Sequence, residues 1–163
     1  MREVKIKDYG LQFKGLTART KTDKIVIHHT GNPTDDDLSA KQLHQSHVEV
    51  QKWAGIGYHY VIRKDGTIEQ GRPDWAVGSH AYGDNNHTIG IHFCGNFDIG
   101  SPTPQQIESG ALLLAKLGLD YGLAMDQWNV VGHRDLIATA CPGKNLYAML
   151  QTLRGKAIWY QQN

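Results

Sequence analysis

The run Gly132-His133-Arg134-Asp135-Leu136-Ile137-Ala138-Thr139-Ala140-Cys141-Pro142-Gly143 constrains this chain more than any other stretch. It sets a histidine and a cysteine eight residues apart on a segment punctuated by Gly and Pro. Neutral imidazole and thiolate are ligands that zinc favours, and two of them on one loop make half a metal site. Upstream, Ile25-Val26-Ile27-His28-His29-Thr30-Gly31 is an apolar, strand-like run ending on two histidines. Successive side chains of a strand point to opposite faces, so only one of His28 and His29 can join the site. The strand alone leaves that choice open. Three protein ligands leave the fourth tetrahedral position for water, the arrangement of catalytic rather than structural zinc. The residues therefore predict a hydrolase with one zinc per chain.

The 163 residues fit one domain, 1–163, with enough chain to bury a core without staples. A hydrophobic share of 40% and a charged share of 20% are ordinary for a globular protein. The net charge of +1 argues against a strongly basic nucleic-acid surface. No apolar run approaches the roughly 20 residues of a membrane span, so membrane insertion is not expected. The start, Met1 to Asp8, has no apolar core of a secretory signal, which predicts synthesis in the cytoplasm. Two cysteines do not make a disulfide scaffold, and Cys94, in an apolar strand pattern, reads as a free small hydrophobe.

Residues 1–23 lack a period and read as an arm that wraps the domain. Lys24 to His29 is the first strand. Asp35-Asp36-Asp37 offers N-caps for a helix over about Leu38 to Trp53. Tyr58 to Arg63 and Thr67 to Gln70 flank a Lys64-Asp65-Gly66 turn and predict a hairpin. The loop from Gly71 to His87 is long enough to suggest function. Thr88 to Cys94 is the next strand, and Thr103-Pro104-Gln105-Gln106 carries an N-cap, Pro at the first helical position and a capping-box Gln. That helix is expected to reach about Gly118, followed by a strand over Trp128 to Val131 and a helix over Asn145 to about Arg154. The order β-α-β-β-β-α-β-α predicts an α/β domain, a central mixed sheet flanked by helices, with the zinc site in a surface cleft.

Of the 9 histidines, most have a plainer reading than metal binding. His44 and His47 share a helix face and read as polar surface residues. His59 reads as a packed or hydrogen-bonded strand histidine. His80 and His87, on the long loop, are candidates for lining a substrate cleft.

The ordered set of motifs resembles the zinc-dependent N-acetylmuramoyl-L-alanine amidases of the phage-lysozyme type, which share their fold with peptidoglycan recognition proteins. The resemblance runs from about residue 20 to about residue 150. It rests on Ile-Val-Ile-His28-His29-Thr-Gly, Gly57-Tyr58-His59-Tyr60-Val-Ile-Arg-Lys-Asp65-Gly66-Thr and Ala76-Val-Gly78-Ser-His80-Ala. Asn86-His-Thr-Ile-Gly90-Ile, Gly95-Asn96-Phe97 and the Gly132 to Gly143 run complete it. It implies His28, His133 and Cys141 as the zinc ligands, with Tyr58 and Thr139 as catalytic residues. Some relatives place a catalytic Glu where this chain has His92, which makes His92 a candidate proton carrier. The implied substrate is the amide joining the lactyl group of N-acetylmuramic acid to L-alanine in peptidoglycan. In that chemistry Tyr58 would orient water or donate to the oxyanion, and Thr139 would add a second donor. Either Tyr58 or His92 would protonate the leaving amine. Candidate sugar or stem contacts are His80, Trp75, Asn86, Arg63 and Arg19.

The same resemblance implies peptidoglycan as the partner of a monomer that acts on the wall after release, as an endolysin or autolysin. The alternative is a non-catalytic peptidoglycan-binding module on this fold. Retention of three ligands and Tyr58 favours the enzyme.

Overall fold

Two runs rich in β-branched residues, 24–29 and 88–93, pair in parallel along their whole length and form the middle of a six-stranded mixed sheet. The computed structural model describes residues 1–163. Its elements in chain order are β1 (Ile6–Lys7), β2 (Lys24–His29), α1 (Ala40–Glu49), β3 (Tyr60–Ile62), β4 (Ile68–Gln70), β5 (Thr88–Phe93), α2 (Pro104–Tyr121), β6 (Val130–Gly132), α3 (Lys144–Tyr147) and α4 (Leu150–Gln162). Strand order is β1-β4-β3-β5-β2-β6, with only β3 and β4 antiparallel. Every residue of β5 is buried, as expected for a parallel strand covered on both faces.

Alternation along the strands divides the sheet into two unlike faces. Ile25, Ile27, Ile89, Ile91, Phe93, Tyr60 and Ile62 point to one side, into a core built with α2 and α4. From α2 come Leu113, Leu114 and Leu117, each fully buried, at about 1.5–3 kcal/mol apiece. On the opposite side Val61 and Cys94 pack under Ala40 and Leu43 of α1. His28 and His92, side by side in register, share that second face.

The helix boundaries differ from the sequence expectation for identifiable reasons. The first helix is capped by Ser39, whose side chain accepts from Gln42 N–H while Gln42 reciprocates. The aspartates before it are held elsewhere: Asp35 pairs with Lys64 and accepts from the Asn96 amide, and Asp37 pairs with Arg63. Thr103, Pro104 and Gln106 open α2 as expected. The helix continues past Gly118, because that glycine serves close packing; a Cβ there would lie 2.6 Å from Met125 Cε. It stops at Gly122, which takes the left-handed conformation at φ 65°. The edge strand is 130–132 rather than 128–131, because Asp126 accepts the amides of Trp128 and Asn129 in a side-chain turn. The last helix is two, a single turn and then a helix extending to Gln162. The arm also adds a strand that no periodicity announced: Ile6 and Lys7 pair with Ile68 and Glu69. No helix is long and apolar enough to cross a membrane.

Candidate metal centre and active site

Sheet register brings the three expected ligands together. Ile27 pairs with Gly132, so the next residues, His28 and His133, leave neighbouring strands side by side with ring centroids 4.5 Å apart. The loop after His133 folds back on itself, and the Arg134 amide donates to the Cys141 carbonyl at 2.9 Å. Gly143 follows at φ 86°, where a Cβ would meet the Phe97 backbone at 2.7 Å, so only glycine lets the chain pass. The ligand atoms of His28, His133 and Cys141 all lie within 4.8 Å of one another. His28 is buried, whereas His133 and Cys141 are partly exposed, so the cluster opens to solvent on one side.

Distances test whether these residues fit zinc. Bond lengths of about 2.05 Å to nitrogen and 2.3 Å to sulfur at a tetrahedral angle place the two ligand atoms about 3.6 Å apart. His28 Nδ1 and Cys141 Sγ are separated by 3.6 Å. The donor set of two imidazoles and a thiol is also one that zinc favours. Burial, with neighbouring histidines, holds the His28 pKa well below 6.5, and burial lowers that of His133. Both rings are therefore neutral at pH 7, the form that ligates. Burial pushes the Cys141 thiol up to about 12, so without a cation it holds its proton. His29, the alternative at the strand end, faces the core, where its Nδ1 accepts the Phe97 amide at 3.1 Å.

Tyr58 lies against this cluster, its ring centroid 5.1 Å from that of His28 and 4.6 Å from that of His92. Burial, reinforced by Cys141, raises the phenol pKa, so Tyr58 stays a hydrogen donor. Thr139 is exposed on the Cys141 loop. Its Oγ1 accepts the Cys141 amide at 3.3 Å, which leaves the hydroxyl proton free to point outward. His92 is 1% exposed, and its Nε2 is 2.9 Å from Thr30 Oγ1 while Nδ1 has no partner. Burial, with His29 and His47 nearby, pushes its pKa down to about 3, so at neutral pH it holds no second proton.

The expected substrate contacts do not share one setting. His80 is buried behind His28 with the two ring nitrogens 2.9 Å apart. Arg63 is occupied by Asp37 and Glu69 at the β3–β4 turn. Asn86 is exposed, and it is its neighbour Asn85 whose Oδ1 accepts the amides of His80 and Ala81. Trp75 is 53% exposed beside the Ala18–Ala76 bridge, where Arg19 donates to the Ala76 carbonyl. His87 lies between Asp23 and Asp84, its ring nitrogens 2.5 and 2.8 Å from their carboxylates, and ties the arm to the long loop.

Two helix histidines are not the surface residues their pattern suggests. His44 Nδ1 accepts the Ile56 amide and His47 Nδ1 accepts the Gly57 amide, both at 3.0 Å. They cap the segment leading into Tyr58, and the His47 ring stands 5.8 Å from the Tyr58 ring. No local pattern signals this, because the partners are backbone groups brought in by a turn. His59 is hydrogen-bonded inside the fold, accepting from the Gly90 amide at 3.0 Å.

Comparisons with known proteins agree with this geometry. The family model described as N-acetylmuramoyl-L-alanine amidase matches residues 18–144. The chain is similar to the endolysin of Klebsiella phage KP32, 36% identical over 136 residues that cover 80% of this chain and 87% of that one. It is 35% identical to the endolysin of Escherichia phage T7 over 141 residues, covering 83% and 88%. The solved N-acetylmuramoyl-L-alanine amidase LysC from Clostridium intestinale superposes with a TM-score of 0.82 at 36% identity, covering 91% of this chain and 95% of that one. A three-ligand cluster at the end of a mixed sheet, found in a chain matched over most of its length, has one consistent assignment: the protein belongs to the N-acetylmuramoyl-L-alanine amidase family.

Proposed function

We propose that this chain is a zinc-dependent N-acetylmuramoyl-L-alanine amidase, cleaving the amide between the lactyl group of N-acetylmuramic acid and L-alanine in peptidoglycan. The observation that carries the zinc reading is the 3.6 Å separation of His28 Nδ1 from Cys141 Sγ, with His133 completing the triangle. When bound, zinc supplies a Lewis acid with one open position, suited to a reaction whose barrier is a charged tetrahedral intermediate.

The chain's own residues supply the rest. Tyr58, a protonated phenol beside the ligands, donates to the developing oxyanion and is the candidate to pass a proton to the leaving amine. Thr139 adds a donor from the exposed side of the cluster. His92 is a weaker candidate for the acid, because at neutral pH it carries no proton beyond that of the neutral ring. The reading extends to a monomer of one domain that reaches the wall after release from the cytoplasm, a role supported by the similarity to phage endolysins.

The test is to mix purified protein with peptidoglycan, with and without a zinc chelator, and count new L-alanine amino termini alongside new reducing sugars. New termini that vanish with the chelator and return with zinc support the reading. Binding to the wall without new termini would make the chain a recognition module.

A further inference from the structure

The protein holds a chain of hydrogen bonds whose direction is fixed at one end. Thr88 Oγ1 lies 2.8 Å from the Asp84 carbonyl oxygen. A carbonyl only accepts, so the single hydroxyl proton of Thr88 is donated there. His80 Nε2 lies 3.2 Å from the same hydroxyl oxygen. With its proton already directed to Asp84, Thr88 can only accept from His80, which therefore carries its proton on Nε2. His80 is buried, and a neutral imidazole has one N–H, so its Nδ1 is a bare acceptor. That nitrogen is 2.9 Å from His28 Nε2, which must be the donor. His28 is then left with its lone pair on Nδ1, the nitrogen 3.6 Å from Cys141 Sγ.

We propose that His80 and Thr88 are positioning residues that lock His28 in the Nε2–H tautomer and so aim its Nδ1 lone pair at the metal. The inference rests on the zinc reading of His28 for its purpose, but the tautomer itself does not depend on metal. A metal-ligating histidine usually donates its other N–H directly to a carboxylate, carbonyl or water. Here a second imidazole and a hydroxyl intervene before a carbonyl ends the chain.

The surroundings of His80 are shaped to hold that ring in place. A Cβ on Gly90 would lie 2.6 Å from His80 Cγ, and a Cβ on Gly78 would lie 2.6 Å from Cδ2. The ring thus occupies space that two glycines leave open, one of them on the strand beside β2. Asn85 fixes the backbone by accepting the amides of His80 and Ala81 at 2.8 and 2.9 Å. The His28 and His80 ring centroids are 5.0 Å apart with the ring planes at 88°, and the close approach is between edge nitrogens 2.9 Å apart.

Imidazole 15N and 13C shifts of the zinc-free protein read the tautomers directly. The expected result is an Nε2–H tautomer at both His28 and His80; an Nδ1–H signal at His28 overturns the proposal. Thr88→Val keeps the strand shape and removes the hydroxyl, so the His28 tautomer should become mixed. Zinc affinity, measured by chelator competition, should fall roughly 10–100-fold in that variant, the usual cost of losing such a partner. Thr88→Ser should restore both readouts, which a packing defect at this position would not. Unchanged zinc affinity in a folded Thr88→Val protein also overturns the proposal. If the wild type binds no zinc, the functional reading falls while the tautomer measurement still stands or fails by itself.

Discussion

The sulfur of Cys141 accepts the backbone N–H of His29 at 3.4 Å, tying the last candidate ligand of the cluster to the strand that carries the first. The cluster is thus braced between a loop and a central strand before any metal is considered. Replacing Cys141 by Ala removes both a ligand and this tie. We expect stoichiometric zinc to be lost by elemental analysis, and the melting temperature to become insensitive to added zinc, because metal that binds only the folded state stabilises it. Full zinc retention in that variant would remove Cys141 from the ligand set.

Tyr58→Phe should keep zinc and the fold, since the ring and its contacts with His28 and His92 remain. Amide cleavage should fall roughly 10²–10³-fold if the hydroxyl is an oxyanion-type donor. Wild-type turnover at full zinc occupancy would exclude it from the chemistry.

His47→Leu tests the cap on the segment entering Tyr58. The buried Gly57 amide would lose its acceptor, a cost of about 1–3 kcal/mol. Chemical denaturation should show that loss, together with reduced activity at unchanged zinc content. Equal stability of the two proteins would mean that water replaces the imidazole.

Gly90→Ala forces a methyl group against a ring that has no room to retreat. The new carbon would approach three ring atoms of His80 at 2.6 to 2.8 Å. Overpacking of this kind costs about 1–3 kcal/mol, which denaturation in the presence of chelator would isolate from any effect on zinc. A variant as stable as the wild type would show that His80 is free to move aside.

His87 makes the stability of the arm depend on pH. Burial works against its charge, but hydrogen bonds and attraction from Asp23 and Asp84 outweigh that and hold its pKa above 6.5. A group whose pKa is raised on folding contributes fully below its unfolded value and loses that contribution as pH rises through the folded one. Asp23 behaves oppositely. Burial raises its pKa, yet His87 and Lys21 bring it below 3.8, so its share is lost only in stronger acid. Comparing wild type with His87→Gln, the gap in melting temperature should be large at about pH 5.5 and close towards about pH 9. A gap that stays constant across this range would mean that the ring acts only through packing.

The motifs themselves determined a good deal. The apolar run 24–29 and the Gly- and Pro-bounded loop 132–143 marked the segments that carry the candidate ligands, because strand pattern and ligand chemistry are local properties of the chain. The Thr103-Pro104-Gln106 cap was equally local, and α2 begins there. Which histidine of the pair 28 and 29 faces the site was not local. It follows from the register that sets His28 beside His92 and His29 against Phe97, a choice the side-chain alternation permits either way.

The surroundings of the ligands depend still more on the tertiary fold. His80, Thr88 and Asp84 come together behind His28 only because the 71–87 loop returns along β5. In the sequence His80 looked like a residue for substrate; in the structure two glycines and a carbonyl-terminated chain of hydrogen bonds hold it inside. Residue type and spacing reveal what can bind a metal. Which nitrogen of a ring points at that metal is decided by partners from distant segments, because hydrogen-bond direction depends on contacts that the folded chain alone creates.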